Sequence, residues 1–208
     1  MLIKRGNEKT NFNANKNLSA VGTLLMVIGF LGSAVPYAGV LSLIGVILLL
    51  IGLKGLANFY KEDGIFNNTL YSMIIAIVGT VVAVGVIAIS AISALATIGI
   101  DLNNIEDWAN VGTEFGAYFT DFADFSTLWT LISAVVVGLI VLFVVSIISM
   151  YFFRKSMTQL STKSGVGLFG TAGLLMLIGA VLSIVLVGFL LIWIGLILAT
   201  VAFFQMKE

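Results

Sequence analysis

The residue types that do most protein chemistry are absent from this chain or confined to its polar stretches. It contains no His and no Cys, which removes the usual general base and the imidazole and thiolate ligands of most metal centres. Its four apolar runs contain no Asp, Glu, Lys or Arg, although proton relays and ion-coupled transporters usually place ionisable groups within the membrane. We therefore expect a protein that is not an enzyme and has no catalytic residue, cofactor or metal site.

One glycine-rich motif has the spacing of a nucleotide-binding fingerprint. Residues 165–170 read GVGLFG, which matches G-x-G-x-x-G. That fingerprint needs a buried strand before it and a crossover helix after it, whereas these glycines open an apolar segment of membrane length. Close helix packing is the favoured interpretation. The alternative is a lipid phosphate held at the helix N-terminus beside Lys163.

The stretch 101–128 is the most distinctive polar part of the chain, with six acids and no base. Its aromatic residues cover one face of a helical wheel, which is typical of an amphipathic helix lying at headgroup depth in the outer interface. We expect it either to cap the bundle or to present a docking surface for a partner. The residues expected at this outer interface are Trp108, Phe115, Phe119, Phe122 and Trp129.

All ten Lys and Arg residues lie on one side of the apolar segments. With four acids they give that side a net charge of +6, whereas the loop 101–128 carries −6. Because cytoplasmic loops retain positive residues, the pattern predicts a cell-membrane protein with both termini in the cytoplasm. The bases are spread along the membrane borders, which favours membrane lipids as partners and argues against nucleic acid.

The apolar runs predict an all-α fold, a polytopic transmembrane helical bundle of about six spans. A span takes about 20 apolar residues, so the run interrupted by Pro36 forms a helical hairpin over 18–60. A second helical hairpin covers 167–204 and breaks at Gly188. Between the hairpins lie a long span over 69–100 and a span over 129–153.

The domain assignment follows from these spans. Residues 1–17 form a cytoplasmic polar tail, and 18–208 form a single membrane domain that includes the acidic, aromatic extracellular loop 101–128. The two hairpins either cross the membrane fully or are re-entrant, and the charge pattern is the same in both cases.

The two hairpins resemble each other at a constant offset. Between residues 24 and 48, twelve of twenty-five positions are identical to the residue 150 positions later. Both copies begin on the basic side, so the pattern predicts an internal parallel repeat about an axis along the membrane normal.

Small residues recur at intervals that favour close helix packing. Thr69, Ala76 and Ala83 are seven apart in the third span, and such a seam lets a neighbouring helix approach closely. A solute path lined by small polar groups is the alternative. The residues predicted to mediate helix packing are Gly29, Ser33, Gly45, Ala76, Gly79, Ala83, Ser90, Gly179, Ser183 and Gly195.

Two further runs complete the pattern: 52–61, GLKGLANFYK, and 168–175, LFGTAGLL. With the hairpins and the acidic loop, they make the chain resemble an archaeal family of small membrane proteins classed as domain of unknown function 996. The resemblance covers nearly the whole chain. It implies an archaeal cytoplasmic membrane and supplies no catalytic residues.

Two functions remain in view. The favoured one is a non-enzymatic accessory or scaffold subunit that packs with itself, as a homo-oligomer, or with a larger membrane complex. The alternative is a small-solute channel or facilitator with a path between the repeated hairpins. Co-purification with a larger complex would favour the first, and solute exchange by a lone protomer in liposomes would favour the second.

Overall fold

The apolar runs form helices, since a helix satisfies its own backbone hydrogen bonds and can lie in lipid without exposing them. The computed structural model describes residues 2–31, 38–97 and 125–207. These ranges contain no strand, and the predicted all-α class is confirmed. Their helices are α1 (Leu2–Leu31), α2 (Ala38–Tyr60), α3 (Asp63–Thr97), α4 (Phe125–Ser164), α5 (Leu168–Val181) and α6 (Val187–Gln205), with a short 3-10 helix at Leu182–Val185.

Five helices in the described ranges are long and apolar enough to cross a membrane. The segments are Gly39–Tyr60, Asp63–Ser93, Ile132–Ser164, Leu168–Val185 and Val187–Gln205. Most of their side chains are exposed, as they are in helices that face lipid. The first predicted span includes residues 32–35, which lie outside the described residues, so its full length stays a prediction.

Helix α1 begins well before its apolar part. Residues 2–17, assigned to a polar tail, continue the same helix. Phe12 holds this end against α2, because its side chain is almost fully buried and its ring lies 4.7 Å from the ring of Phe59. Aromatic contacts of this kind add to the burial of apolar area.

The chain divides into two compact units. The first comprises Met1–Ala76 and Ser146–Glu208, and the second comprises Ile77–Val145. The core of the first unit is formed by side chains from all six helices, α1 to α6, including Leu53, Met157 and Phe203. The rings of Phe169 and Phe203 meet edge to face at 4.8 Å. In the second unit the buried side chains include the small residues Ala83 and Ala134.

Two turns in the first unit use left-handed backbone. After α2, Lys61 has a φ of 52°, and the amide of Glu62 donates to the carbonyl oxygen of Ala57 at 2.9 Å. This pattern is a Schellman cap, which normally takes glycine at the left-handed position. After α4 that position is a glycine, Gly165, with a φ of 74°.

The break in the second hairpin differs from the prediction. Helix α5 ends at Val181, the 3-10 helix follows, and Leu186 has a φ of 56° before α6 begins at Val187. Gly188 is therefore a helical residue of α6. Its role is close approach, because a side chain there would collide with the backbone of Gly179 and Ser183.

Candidate functional site: the helix-packing surfaces and the basic end

Helices α1 and α2 approach most closely at Gly22 and Gly45. A methyl group on Gly22 would lie 2.6 Å from the carbonyl oxygen of Gly45, and one on Gly45 would lie 2.5 Å from that of Gly22. Because the obstacles are backbone atoms, a larger residue would have to separate the helices. The two backbones therefore touch at this point, as in glycine-mediated contacts between membrane helices.

The second hairpin is closed by the same kind of contact. A methyl group on Gly195 would meet the side chain of Met176 and would lie 3.2 Å from the carbonyl oxygen of Ala172. Nearer the turn, a methyl group on Gly179 would lie 2.7 Å from the carbonyl oxygen of Gly188. Two glycine-lined contacts thus hold α5 against α6.

The two hairpins use corresponding positions for these contacts. Gly45 faces Met26, whose Cγ would lie 2.9 Å from a methyl group on the glycine, and Gly195 faces Met176. Each residue of the second pair stands 150 positions after its counterpart in the first pair. The hairpins also contact each other, since the indole Nε1 of Trp193 donates to the carbonyl oxygen of Val27 at 3.3 Å.

Polar side chains link α3 and α4 in the first unit. The hydroxyls of Ser72 and Ser149 lie 3.0 Å apart, and Thr69 donates to Ser156 at 2.8 Å. At the end of this row the amide of Asn68 donates to Gln159 at 3.0 Å. We call these six residues the polar seam; all of them except the glutamine are buried.

Three of the four hydroxyls of the polar seam also have a backbone carbonyl within hydrogen-bond distance. Ser149 Oγ lies 3.0 Å from the carbonyl oxygen of Ser72, and the hydroxyls of Ser156 and Thr69 both lie within hydrogen-bond distance of that of Ile65. These alternative acceptors satisfy the hydroxyl donors without any ligand. The polar seam is therefore a packing surface rather than an open binding site.

The second unit packs α3 against α4 through small residues. Gly79 is buried and faces Val145, whose side chain would meet a methyl group placed there. Gly138 faces Ile87, whose Cδ1 would lie 2.7 Å from a methyl group on the glycine, and lies near the carbonyl oxygen of Ala83. Ala83 is fully buried. The helices here are close because a glycine lies opposite each of these larger side chains.

Most of the predicted packing residues can be placed in the structure. Gly45, Gly79, Ala83, Gly179 and Gly195 lie at the contacts described above, and Gly29 is buried. Ala76 and Ser90 are half-buried. Ser183 lies in the 3-10 helix and donates to the carbonyl oxygen of Ala180 at 2.8 Å. Ser33 lies outside the described residues.

The predicted outer interface falls almost entirely outside the described residues. Trp108, Phe115, Phe119 and Phe122 lie there, so their docking role stays a prediction. Trp129 is described: it lies near the start of α4 and exposes 61% of its surface.

Several contact residues were not predicted from the sequence. Gly22, the partner of Gly45, lies seven residues before the predicted Gly29 on α1, and Ser149 and Ser156 are seven apart on α4 as Thr69 and Ala76 are on α3. The same spacing rule, applied to α4, would have found the second half of the polar seam.

Basic residues of the first unit are engaged at one end of its helices. Lys163, after the polar seam, forms an ion pair with Glu62 at 3.1 Å. Lys16 donates to the carbonyl oxygen of Met206 at 3.4 Å, and the ammonium of Lys54 lies 5.8 Å from the centre of the Phe66 ring. The Lys16 contact joins α1 to the end of α6, and the Lys54 contact joins α2 to α3. The ion pair joins the turn before α3 to the end of α4.

The glycines of residues 165–170 have structural uses. Gly165 makes the left-handed turn after α4, and a methyl group on Gly170 would lie 3.5 Å from the hydroxyl of Ser161. The Ser161 hydroxyl in turn donates to the carbonyl oxygen of Val166 at 3.1 Å. The segment is thus a helix-to-helix turn, and no strand precedes it in the described residues.

These observations define a membrane protein whose transmembrane helices pack through glycine, alanine and serine. The chain belongs to the family described as Protein of unknown function (DUF996), whose profile matches residues 41–197. It is similar to Uncharacterized protein MJ1644 of Methanocaldococcus jannaschii, with 27% identity over 200 residues and 96% of each chain covered. No solved structure matches the chain significantly. The family resemblance predicted from the sequence is confirmed.

Proposed function

We propose that the protein is a non-enzymatic accessory or scaffold subunit of the cell membrane, which packs with a second copy of itself or with a larger membrane complex. The observation that carries this proposal is the saturation of the polar seam. Its hydroxyls bind one another and nearby backbone carbonyls, so they offer no free row of polar groups to a moving solute. A polar seam without free polar groups suits a subunit that binds other membrane proteins better than it suits a transporter.

The exposed faces of the helices support the same proposal. Large apolar side chains such as Ile89, Leu139 and Ile77 expose more than half of their surface. In a membrane these faces contact lipid or other helices. The protein therefore offers an extensive apolar surface on which another membrane protein can pack.

Orientation is part of this proposal. The engaged bases Lys16, Lys54 and Lys163 lie on α1, α2 and α4 and contact neighbouring elements of the first unit. Under the positive-inside rule this supports a multi-pass protein whose basic end and two termini face the cytoplasm. The acidic loop then lies on the outside.

An internal repeat is the second structural part of the proposal. The equivalence of the Gly45–Met26 and Gly195–Met176 contacts supports it, because two copies of one hairpin should pack through the same positions. A duplicated hairpin would give the subunit two similar packing modules.

Extraction from native membranes in a mild detergent tests the scaffold role. We expect a particle larger than one 22.1 kDa chain with its detergent, containing either a second copy or a reproducible set of membrane proteins. The control is the same chain expressed alone in a foreign membrane, which separates self-association from complex formation. A lone protomer in both preparations would contradict the proposal.

A further inference from the structure

A groove opens between α1 and α2 at the basic end of the first unit. Its volume is about 290 Å³, close to the lower limit of about 300 Å³ for small-molecule sites. That space admits one ring-sized group. The groove is lined by Asn11, Phe12, Asn15, Gly55, Asn58 and Phe59.

The lining combines carboxamides with aromatic rings. Asn11 and Asn15 are one helical turn apart on α1, and Asn58 faces them from α2. A carboxamide offers both a carbonyl acceptor and an NH₂ donor, which suits a ligand whose groups also donate and accept. Hydroxyl groups do both. Phe59, which exposes 41% of its surface, supplies apolar surface for the C–H faces of the same ligand, and the buried Phe12 ring packs against it.

The groove is held in shape by its surroundings. The Phe12 ring packs against Phe59 at 4.7 Å and against Tyr60 at 6.4 Å, so the aromatic side is fixed. Gly55 leaves room for the Asn15 carboxamide, which a methyl group at that position would overlap. The missing side chain at Gly55 therefore lets the amide lie directly on α2.

A buried hydroxyl lies one turn further along α1. Ser19 is fully buried, and its Oγ has no hydrogen-bond partner among the described residues. It lies against Gly52, one turn before the groove on α2. A buried hydroxyl without a hydrogen-bond partner costs free energy. Ser19 also shows that polar groups continue along the interface of α1 and α2 beyond the residues that line the groove.

Charged groups near the groove are engaged elsewhere. Lys16 donates to Met206, and Lys54 lies over the Phe66 ring. No Lys, Arg, Asp or Glu is among the lining residues that the structure describes. Phosphate recognition relies on Arg, Lys or helix N-termini, so an anionic ligand fits this lining poorly.

We propose that this groove binds an uncharged, hydroxyl-rich group, namely a saccharide. The saccharide comes either from the headgroup of a glycolipid, since the groove lies at the basic end where headgroups are found, or from a free sugar in the aqueous phase. The proposal is independent of the scaffold role, because a headgroup site serves any membrane protein.

Native mass spectrometry of the full-length protein tests the proposal. The protein is purified in a polyoxyethylene detergent, which keeps sugar-based detergents away from the groove, and is given digalactosyl diacylglycerol or phosphatidylcholine with the same acyl chains. We expect preferential retention of the glycolipid. Excess free galactose then distinguishes the sources: displacement of the glycolipid shows that the groove also binds the free sugar, and retention of the glycolipid assigns the site to the lipid-linked sugar alone.

Two variants and one control locate the binding. Asn58→Ala removes an exposed carboxamide, and Gly55→Ala displaces the Asn15 carboxamide while favouring the helix. Each should weaken glycolipid binding about fivefold, the typical effect of one lost hydrogen bond. Asn13→Ala, which removes an exposed carboxamide of α1 outside the groove lining, should leave binding unchanged. Equal retention of both lipids, or equal losses in Asn58→Ala and Asn13→Ala, would overturn the proposal.

Discussion

Glycine residues set the distance between the helices of each hairpin. At Gly45 the nearest obstacle to a side chain is the backbone of Gly22, whereas at Gly195 it is mostly the Met176 side chain. Backbone atoms cannot move without separating the helices, but a Met side chain is flexible and fills irregular gaps. The same contact is therefore expected to tolerate change less well in the first hairpin than in the second.

Substitution of leucine at these positions tests that ordering. Gly45→Leu should lower the free energy of unfolding by about 1–3 kcal/mol, the usual cost of overpacking. Gly195→Leu should have a smaller effect in the same direction. If the two hairpins are copies of one repeat, both substitutions should be destabilising. Gly39→Leu is the control on α2, because nothing lies within 4 Å of a methyl group there. Unfolding titrations in mixed micelles measure the three values. A Gly39→Leu effect as large as that of Gly45→Leu would show that close approach at Gly45 does not set the cost.

Among the helices, the polar seam explains which faces of α3 and α4 pack against each other. Helices α3 and α4 are apolar on nearly all sides, so hydrophobic patterning alone cannot orient them. Small residues and hydroxyls at intervals of seven do so instead, as at Thr69 and Ser156. Hydrogen bonds between membrane helices contribute only about 0.6 kcal/mol each on average, and the small size of the residues contributes the rest.

Two substitutions at one position separate these contributions. Ser149→Ala should reduce the free energy of unfolding by about 0.6 kcal/mol for each hydrogen bond that it removes, because it keeps the close approach to Ser72. Ser149→Leu should cost about 1–3 kcal/mol, because it forces α3 and α4 apart.

Thr158 provides the control for this pair on the same helix. It is exposed, and its hydroxyl donates to the carbonyl oxygen of Arg154 on its own helix at 2.9 Å, so Thr158→Leu should change stability little. Unfolding measured by circular dichroism during a denaturing-detergent titration gives all three values. If Ser149→Ala were as destabilising as Ser149→Leu, hydrogen bonding and not packing would dominate the polar seam.

The sequence predicted those elements that a residue pattern marks, such as an apolar run or a regular spacing of small residues. Apolar runs of membrane length predicted the all-α class, and the seven-residue spacing of Thr69, Ala76 and Ala83 identified a packing face of α3. Which glycine of one helix meets which glycine of the next, such as Gly22 and Gly45, depends on how the two helices cross, which one sequence does not specify. Gly188 was predicted at the break between helices because glycine is common in turns. Glycine is also common at close helix contacts, and only the backbone geometry distinguishes the two uses.

For the whole molecule, the charge distribution predicts a single orientation. The chain has no Cys, so one introduced thiol can be labelled without background. Asn67→Cys places it at an exposed position near the start of α3, and a membrane-impermeant maleimide should label it in inverted vesicles but not in intact cells. Asn110→Cys, in the acidic loop outside the described residues, should show the opposite pattern. Labelling of Asn67→Cys in intact cells would reverse the orientation.

The helices that the structure describes close on one another, and we propose that the protein acts as a packing subunit rather than a path for solutes. Stopped-flow measurement of glycerol and urea permeability in liposomes containing the purified protein distinguishes the two roles. We expect the same permeability for the wild type, for the Ser149→Leu variant and for empty liposomes. A saturable permeability in the wild type that Ser149→Leu abolishes would instead identify the polar seam as a solute path.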